Sequence, residues 1–212
     1  MDEGWTRYMF DDLGIPYTTL HNQDFKGDAK KKKTVNLLDK FDVIVFPSEG
    51  SDIIVSGKPS SDSPYARYFS STPTPPEYEG GIGKEGVEAL KAFVEGGGIL
   101  VTLNQACELA FKEFTVPAQD ALQRIDRTRF FCPTSILRVN VNTETPIGYG
   151  FGEEAAVMFS DSLGLRTRIP SGDWDRTVVA SYPKKDVLLS GWLLGEDQIA
   201  RKSAVVDTKY KK

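Results

Sequence analysis

Histidine is almost missing from this chain: its 212 residues include one, His21, and two cysteines, Cys107 and Cys132. A catalytic zinc needs three protein ligands, usually rich in histidine, and nothing here stands at metal-ligand spacing. Two cysteines so far apart form neither a disulfide scaffold nor a CxxC redox pair. Cys132 lies in Phe130-Phe131-Cys132-Pro133, an apolar setting that suits a buried, inert thiol. Long apolar runs are lacking too, so no segment approaches a membrane span. The opening Met1-Asp2-Glu3-Gly4 has none of the basic and apolar character of a signal peptide. No compartment follows from these features. A net charge of −4 gives no general attraction to nucleic acid or to an anionic bilayer. The one basic run, Lys30-Lys31-Lys32-Lys33, lies near Asp24 and Asp28 and reads as a solvated loop.

What is present suits a soluble α/β chain. Asp2 and Glu3 fit the first turn of a helix, and Trp5, Tyr8, Met9 and Leu13 share one side of it. That side, Trp5 included, is expected to pack inward, and Gly14 and Pro16 end the helix. Tyr17 to Leu20 is expected to be a strand, and Val43 to Phe46 a short buried one. Residues 48–81 are rich in Ser, Pro and Gly, yet carry Tyr65, Tyr68, Phe69 and Tyr78. They read as an insertion or an interface segment. Next comes a helix from Lys84 to Glu95 with Val87, Leu90, Phe93 and Val94 on one face, then Gly96-Gly97-Gly98 and the β-rich run Ile99 to Leu103. Helix, glycine turn and buried strand is how a crossover in a parallel sheet is written. Further on, Ile136 to Val141 alternates apolar and polar residues. Ala155–Phe159, Thr177–Tyr182, Val187–Trp192 and Ala204–Asp207 add further strands. The expected fold is α/β, with a mostly parallel sheet extended by antiparallel strands.

Candidate chemistry is sparse. Gly81-Ile82-Gly83-Lys84-Glu85-Gly86 matches GxGxxG, but Pro75-Pro76-Glu77-Tyr78 precedes it where a dinucleotide site needs a strand. A capping loop is the plainer reading. The turn Leu103-Asn104-Gln105-Ala106-Cys107 is where many α/β enzymes carry a nucleophile. Its apparent apex, Gln105, is neither nucleophile nor base, so this is a degenerate elbow. Cys107, two residues on, with the single histidine His21 is a possible dyad that rests on no motif. Glu153-Glu154 and Asp173-x-Asp175 read as solvated turns, since neither completes a calcium loop.

Three stretches together carry a resemblance: Met1-Asp2-Glu3-Gly4-Trp5-Thr6-Arg7, Pro76-Glu77-Tyr78-x-Gly80-Gly81-Ile82-Gly83 and Ser190-Gly191-Trp192-Leu193-Leu194-Gly195. The chain resembles the C-terminal, class I glutamine amidotransferase-like domain of bacterial zinc carboxypeptidase-like proteins of the carboxypeptidase A type. The resemblance implies a flavodoxin-like three-layer core and a single domain over 1–212, truncated at both ends. It also implies a periplasmic or secreted parent protein. It carries no active site onto this chain. The peptidase's His-x-x-Glu has no match, and Gln105 stands where the amidotransferase nucleophile would be.

The expected function is therefore that of a non-catalytic accessory domain. It would pack against, or position substrate for, a metallopeptidase domain of the same polypeptide, and that domain would hold the zinc. No cofactor is expected in this chain. Two other readings are a Cys-dependent hydrolase or amidotransferase relative, and a carbohydrate- or peptide-binding module using residues 48–81.

Overall fold

A computed structural model of the chain describes residues 2–27, 35–59, 75–76, 79–169, 172 and 174–210. The Lys30–Lys33 run, the aromatics Tyr65, Tyr68, Phe69 and Tyr78, and Asp173 lie outside the described residues. Contacts divide the chain into two compact units, 1–115 and 116–212. The boundary falls within the stretch that the sequence treats as one domain.

The first unit begins with helix α1, Asp2–Asp12. Gly14, with φ of 63°, turns the chain back, and the Ile15 amide bonds to the Phe10 carbonyl at 2.8 Å. Tyr17 then packs on Phe10, with ring centroids 5.7 Å apart. The Tyr17 hydroxyl accepts from Arg7 Nε at 3.2 Å. Tyr17 thus lines its own helix, and Tyr17 to Leu20 is not the strand expected: among the described residues no strand pairs with it. Packing of the Trp5 face is corrected as well. No residue of α1 is buried, and Trp5, Tyr8 and Leu13 are 66%, 62% and 64% exposed.

Strand β1 is Val43–Phe46 and strand β2 is Ile99–Thr102. They pair in parallel, Val43 opposite Ile99 through Phe46 opposite Thr102. Between them lie helix α2, Ser51–Ser56, and helix α3, Gly83–Glu95. The crossover grammar of the sequence is thus realised once. Helix α3 buries Val87, Leu90 and Phe93 at the spacing of one helical face. Helix α4, Cys107–Glu113, follows β2 and buries Leu109.

Gly81 explains the GxGxxG match by packing. A Cβ there would fall 2.3 Å from the backbone of Val55, and the next amide, Ile82, donates to the Ile54 carbonyl at 2.9 Å. The absent side chain lets the entry to α3 lie directly on α2.

The second unit is one antiparallel sheet. Its strands are β3 (Ala118–Asp120), β4 (Ser135–Val141), β5 (Glu154–Phe159), β6 (Leu165–Thr167), β7 (Trp174–Ser181), β8 (Leu188–Ser190) and β9 (Ser203–Tyr210). Their order is β3-β6-β9-β7-β4-β5, with β8 also paired to β4. Every pairing in it is antiparallel.

This overturns the expected mostly parallel sheet and its flavodoxin-like three-layer core. Parallel neighbours need a crossover of a dozen or more residues, usually helical. Among its described residues the second half contains one short helix, α5, Glu196–Ile199. The alternation in β4 is as expected: Ser135, Leu137 and Val139 are buried, while Ile136 and Asn140 face out. The core gathers Leu137, Val139, Phe159, Tyr182, Val187 and Ile199 around Cys132. Each large apolar side chain so buried contributes about 1.5–3 kcal/mol.

The Ser190–Gly195 motif clamps this sheet. Ser135 Oγ donates to the Trp192 carbonyl and accepts from the Trp192 amide, both at 3.0 Å. Leu194 exchanges two backbone bonds with Phe131 at 2.8 and 3.1 Å. A side chain at Gly195 would strike the Arg129 carbonyl oxygen at 1.9 Å, and its φ is 76°. This part of the motif serves folding, whereas the Trp192 ring is 65% exposed.

Candidate functional site

Because β1 and β2 are parallel and in register, their carboxyl ends lie side by side. That is where open α/β sheets place ligands. From β1 the chain runs through Pro47-Ser48-Glu49-Gly50 into α2. From β2 it runs through a 3-10 turn, Asn104–Ala106, into α4. The strained residue of this elbow is Asn104, with φ of 49°, one position before the expected apex Gln105. Asn104 Oδ1 is buried and has no hydrogen-bond partner among the described residues. Gln105 lies within the 3-10 turn and offers no nucleophile.

Cys107 starts α4, half-buried, with its thiol turned back on its own strand. The thiol donates to the Thr102 carbonyl at 3.3 Å, and Thr102 Oγ1 lies 3.5 Å from the sulfur. His21 caps the 3-10 turn Asn22–Phe25: its amide donates to Asp24 Oδ2 at 2.7 Å, and its Nδ1 lies 3.7 Å from the same oxygen.

The two loops do bring together a polar cluster that the sequence reading missed. Ser51 opens α2 and is 3% exposed. Its Oγ accepts from Lys112 Nζ at 2.7 Å and donates to Glu108 Oε2 at 3.1 Å. The same ammonium reaches Glu108 at 3.3 Å and Asp52 at 3.4 Å. A serine beside a lysine is the geometry of a Ser–Lys hydrolase, whose lysine must give up its proton to act as base. Here partial burial works against the charge, but Glu108 and Asp52 outweigh it and hold the ammonium above its ordinary range. With Ser51 also covered, the cluster works as a clamp of α2 on α4. The beginning of this signal was visible, since Glu108 and Lys112 stand four apart on a helix. Their partners lie 57 and 61 positions away in sequence, beyond any local pattern.

Other features add little chemistry. A pocket of about 280 Å³ opens onto the clamp itself, with Ser51, Asp52 and Lys112 lining it beside Val55, Ser56 and Lys58. It falls below the roughly 300–1,000 Å³ of ordinary ligand sites. Another of about 410 Å³ is lined by Thr18, Thr19, Leu20, Asp24, Lys40 and Phe41, among others. Among the described residues no three His, Cys, Asp or Glu side chains come together as metal ligands would. No described helix is long and apolar enough to cross a membrane. Glu154 pairs with Arg138, and Asp175 accepts from the Arg176 amide at 2.8 Å. Cys132 is buried, which pushes its thiol up, while a hydrogen bond with Ser135 opposes the shift. Set beside protein-family models, curated proteins and solved structures, the chain matches none of them.

Proposed function

We propose that this chain is a non-catalytic docking domain, the accessory partner of a zinc carboxypeptidase-like domain in the same polypeptide. One observation carries the docking half of this reading. Among the described residues the parallel sheet of the first unit has two strands, so each strand has one bare edge. Parallel strands are ordinarily buried within larger sheets, and two strands alone are marginal in water. Val43 and Ile99, a facing pair, are 47% and 57% exposed. A partner that covers this pair removes apolar surface from water and completes backbone hydrogen bonds.

The peptidase half rests on the resemblance carried by Met1–Arg7, Pro76–Gly83 and Ser190–Gly195. In this reading zinc and peptide hydrolysis belong to the partner, as the resemblance implies. The test compares the peptidase domain alone, this chain alone, and the two together. This chain alone should not hydrolyse peptides or glutamine. The peptidase domain should bind it and gain thermal stability. A turnover by this chain that vanishes in Cys107→Ala, or a peptidase domain indifferent to its presence, would contradict the proposal.

A further inference from the structure

Helix α1 has two unlike sides. One is occupied from within the unit, where Tyr17 covers Phe10 and its hydroxyl meets Arg7 and, at 3.4 Å, Asp11. Arg7 is further tied to Glu3 at 3.3 Å. The other side carries Trp5, Tyr8, Met9 and Leu13 in the i, i+3, i+4, i+8 pattern, all exposed. Trp5 and Tyr8 already touch edge to face, with centroids 6.1 Å apart, so the aromatic part of the stripe is preformed. Asp2 lies one turn before Trp5 and Asp12 one turn after Tyr8, on this same side. Neither has an ion pair among the described residues.

Charge selects the occupant. An anionic bilayer would meet carboxylates at both ends of the stripe and be repelled. A second copy of α1 would bring carboxylates against carboxylates, with Arg7 held on the other side. A surface with complementary charge has an apolar floor and cations where Asp2 and Asp12 arrive. Ten residues of helix separate those two positions, or about 15 Å along the axis.

We infer that α1 docks, Trp5 foremost, into an apolar protein groove flanked by two Lys or Arg side chains about 15 Å apart. This deepens the proposed function and rests on it, placing the groove on the metallopeptidase domain. The full chain with Trp174→Phe and Trp192→Phe makes Trp5 the only emitting indole. Adding the peptidase domain should shift its emission to shorter wavelength. Trp5→Ala should weaken binding about thirty-fold or more, as central aromatic anchors do. Asp2→Asn with Asp12→Asn should weaken it about ten-fold and reduce its salt dependence. Phosphatidylglycerol vesicles should leave the emission unchanged. Binding with no change at Trp5 and no effect of these variants overturns the inference and leaves the proposed function standing. Absence of binding overturns both. A blue shift on vesicles, or self-association lost in Trp5→Ala, assigns the stripe to a different occupant and overturns the inference.

Discussion

In residues 116–212, β4 has β5, β7 and β8 for neighbours, and its inward side chains Leu137 and Val139 are 0% and 2% exposed. In residues 1–115, β1 and β2 have only each other among the described residues. Ile44 is buried, but Val43 and Ile99 stay about half in water, as does the α1 stripe. The two units share a similar grammar of apolar spacing, and the difference lies in how many layers each supplies for itself. The antiparallel sheet folds its long strands against a common core, with α5 contributing Ile199. The parallel pair has helices α2, α3 and α4 and, among the described residues, no third strand. Apolar spacing marks a face that wants cover, and neighbours decide whether it is covered.

That contrast can be broken in several ways, beginning with the largest effect. Leu137→Ala should cost about 2–5 kcal/mol, because a fully buried leucine leaves a cavity. Its urea midpoint would be the check, and a loss below 1 kcal/mol would mean that the second core is loose. Alkali sharpens the same point. Burial pushes the Tyr182 phenol well above its ordinary range, with Cys132 and Asp120 adding to the shift. The unfolded chain releases that proton near pH 10, while the folded one keeps it. The phenol's contribution to stability is therefore full below about pH 10 and falls by about 1.4 kcal/mol per pH unit above it, until the folded phenol ionises. Tyr182→Phe should flatten that slope, and an unchanged slope would assign it elsewhere.

Smaller effects belong to the first unit. Ser51→Ala removes the hydroxyl between Lys112 and Glu108 and should cost about 1.5 kcal/mol, seen as a lower denaturation midpoint of residues 1–115. No change there would remove the clamp from the account. Trp5→Ala should move the stability of the isolated chain by no more than about 0.5 kcal/mol, as for an exposed position. A loss of several kcal/mol would place Trp5 in a core.

Much of the local structure was legible. The alternation of Ile136–Val141, the face of α3 and the span of α1 all follow from period-2 and period-3.6 spacing, which depend on adjacent residues only. Strand direction was not legible beyond one crossover. The second-half strands have the right composition for either direction, and the connections between them decide. Cover for Trp5 was not legible either, since the α1 spacing is the same whether its neighbour is its own sheet or another domain. At the site, the elbow was placed one residue late. Asn104 takes a positive φ that asparagine tolerates better than most residues, and that tolerance is the local sign of where the turn is sharpest. The clamp joins Ser51 to Lys112, and only the fold brings that pair together.

The most direct test is hydrogen exchange of the backbone amides, with and without the peptidase domain. In the chain alone, amides of β1 and β2 should exchange orders of magnitude faster than those of β4, β7 and β9, and adding the partner should slow β1 and β2 selectively. Equal protection of β1, β2 and β4 in the isolated chain, unchanged by the partner, would contradict the account.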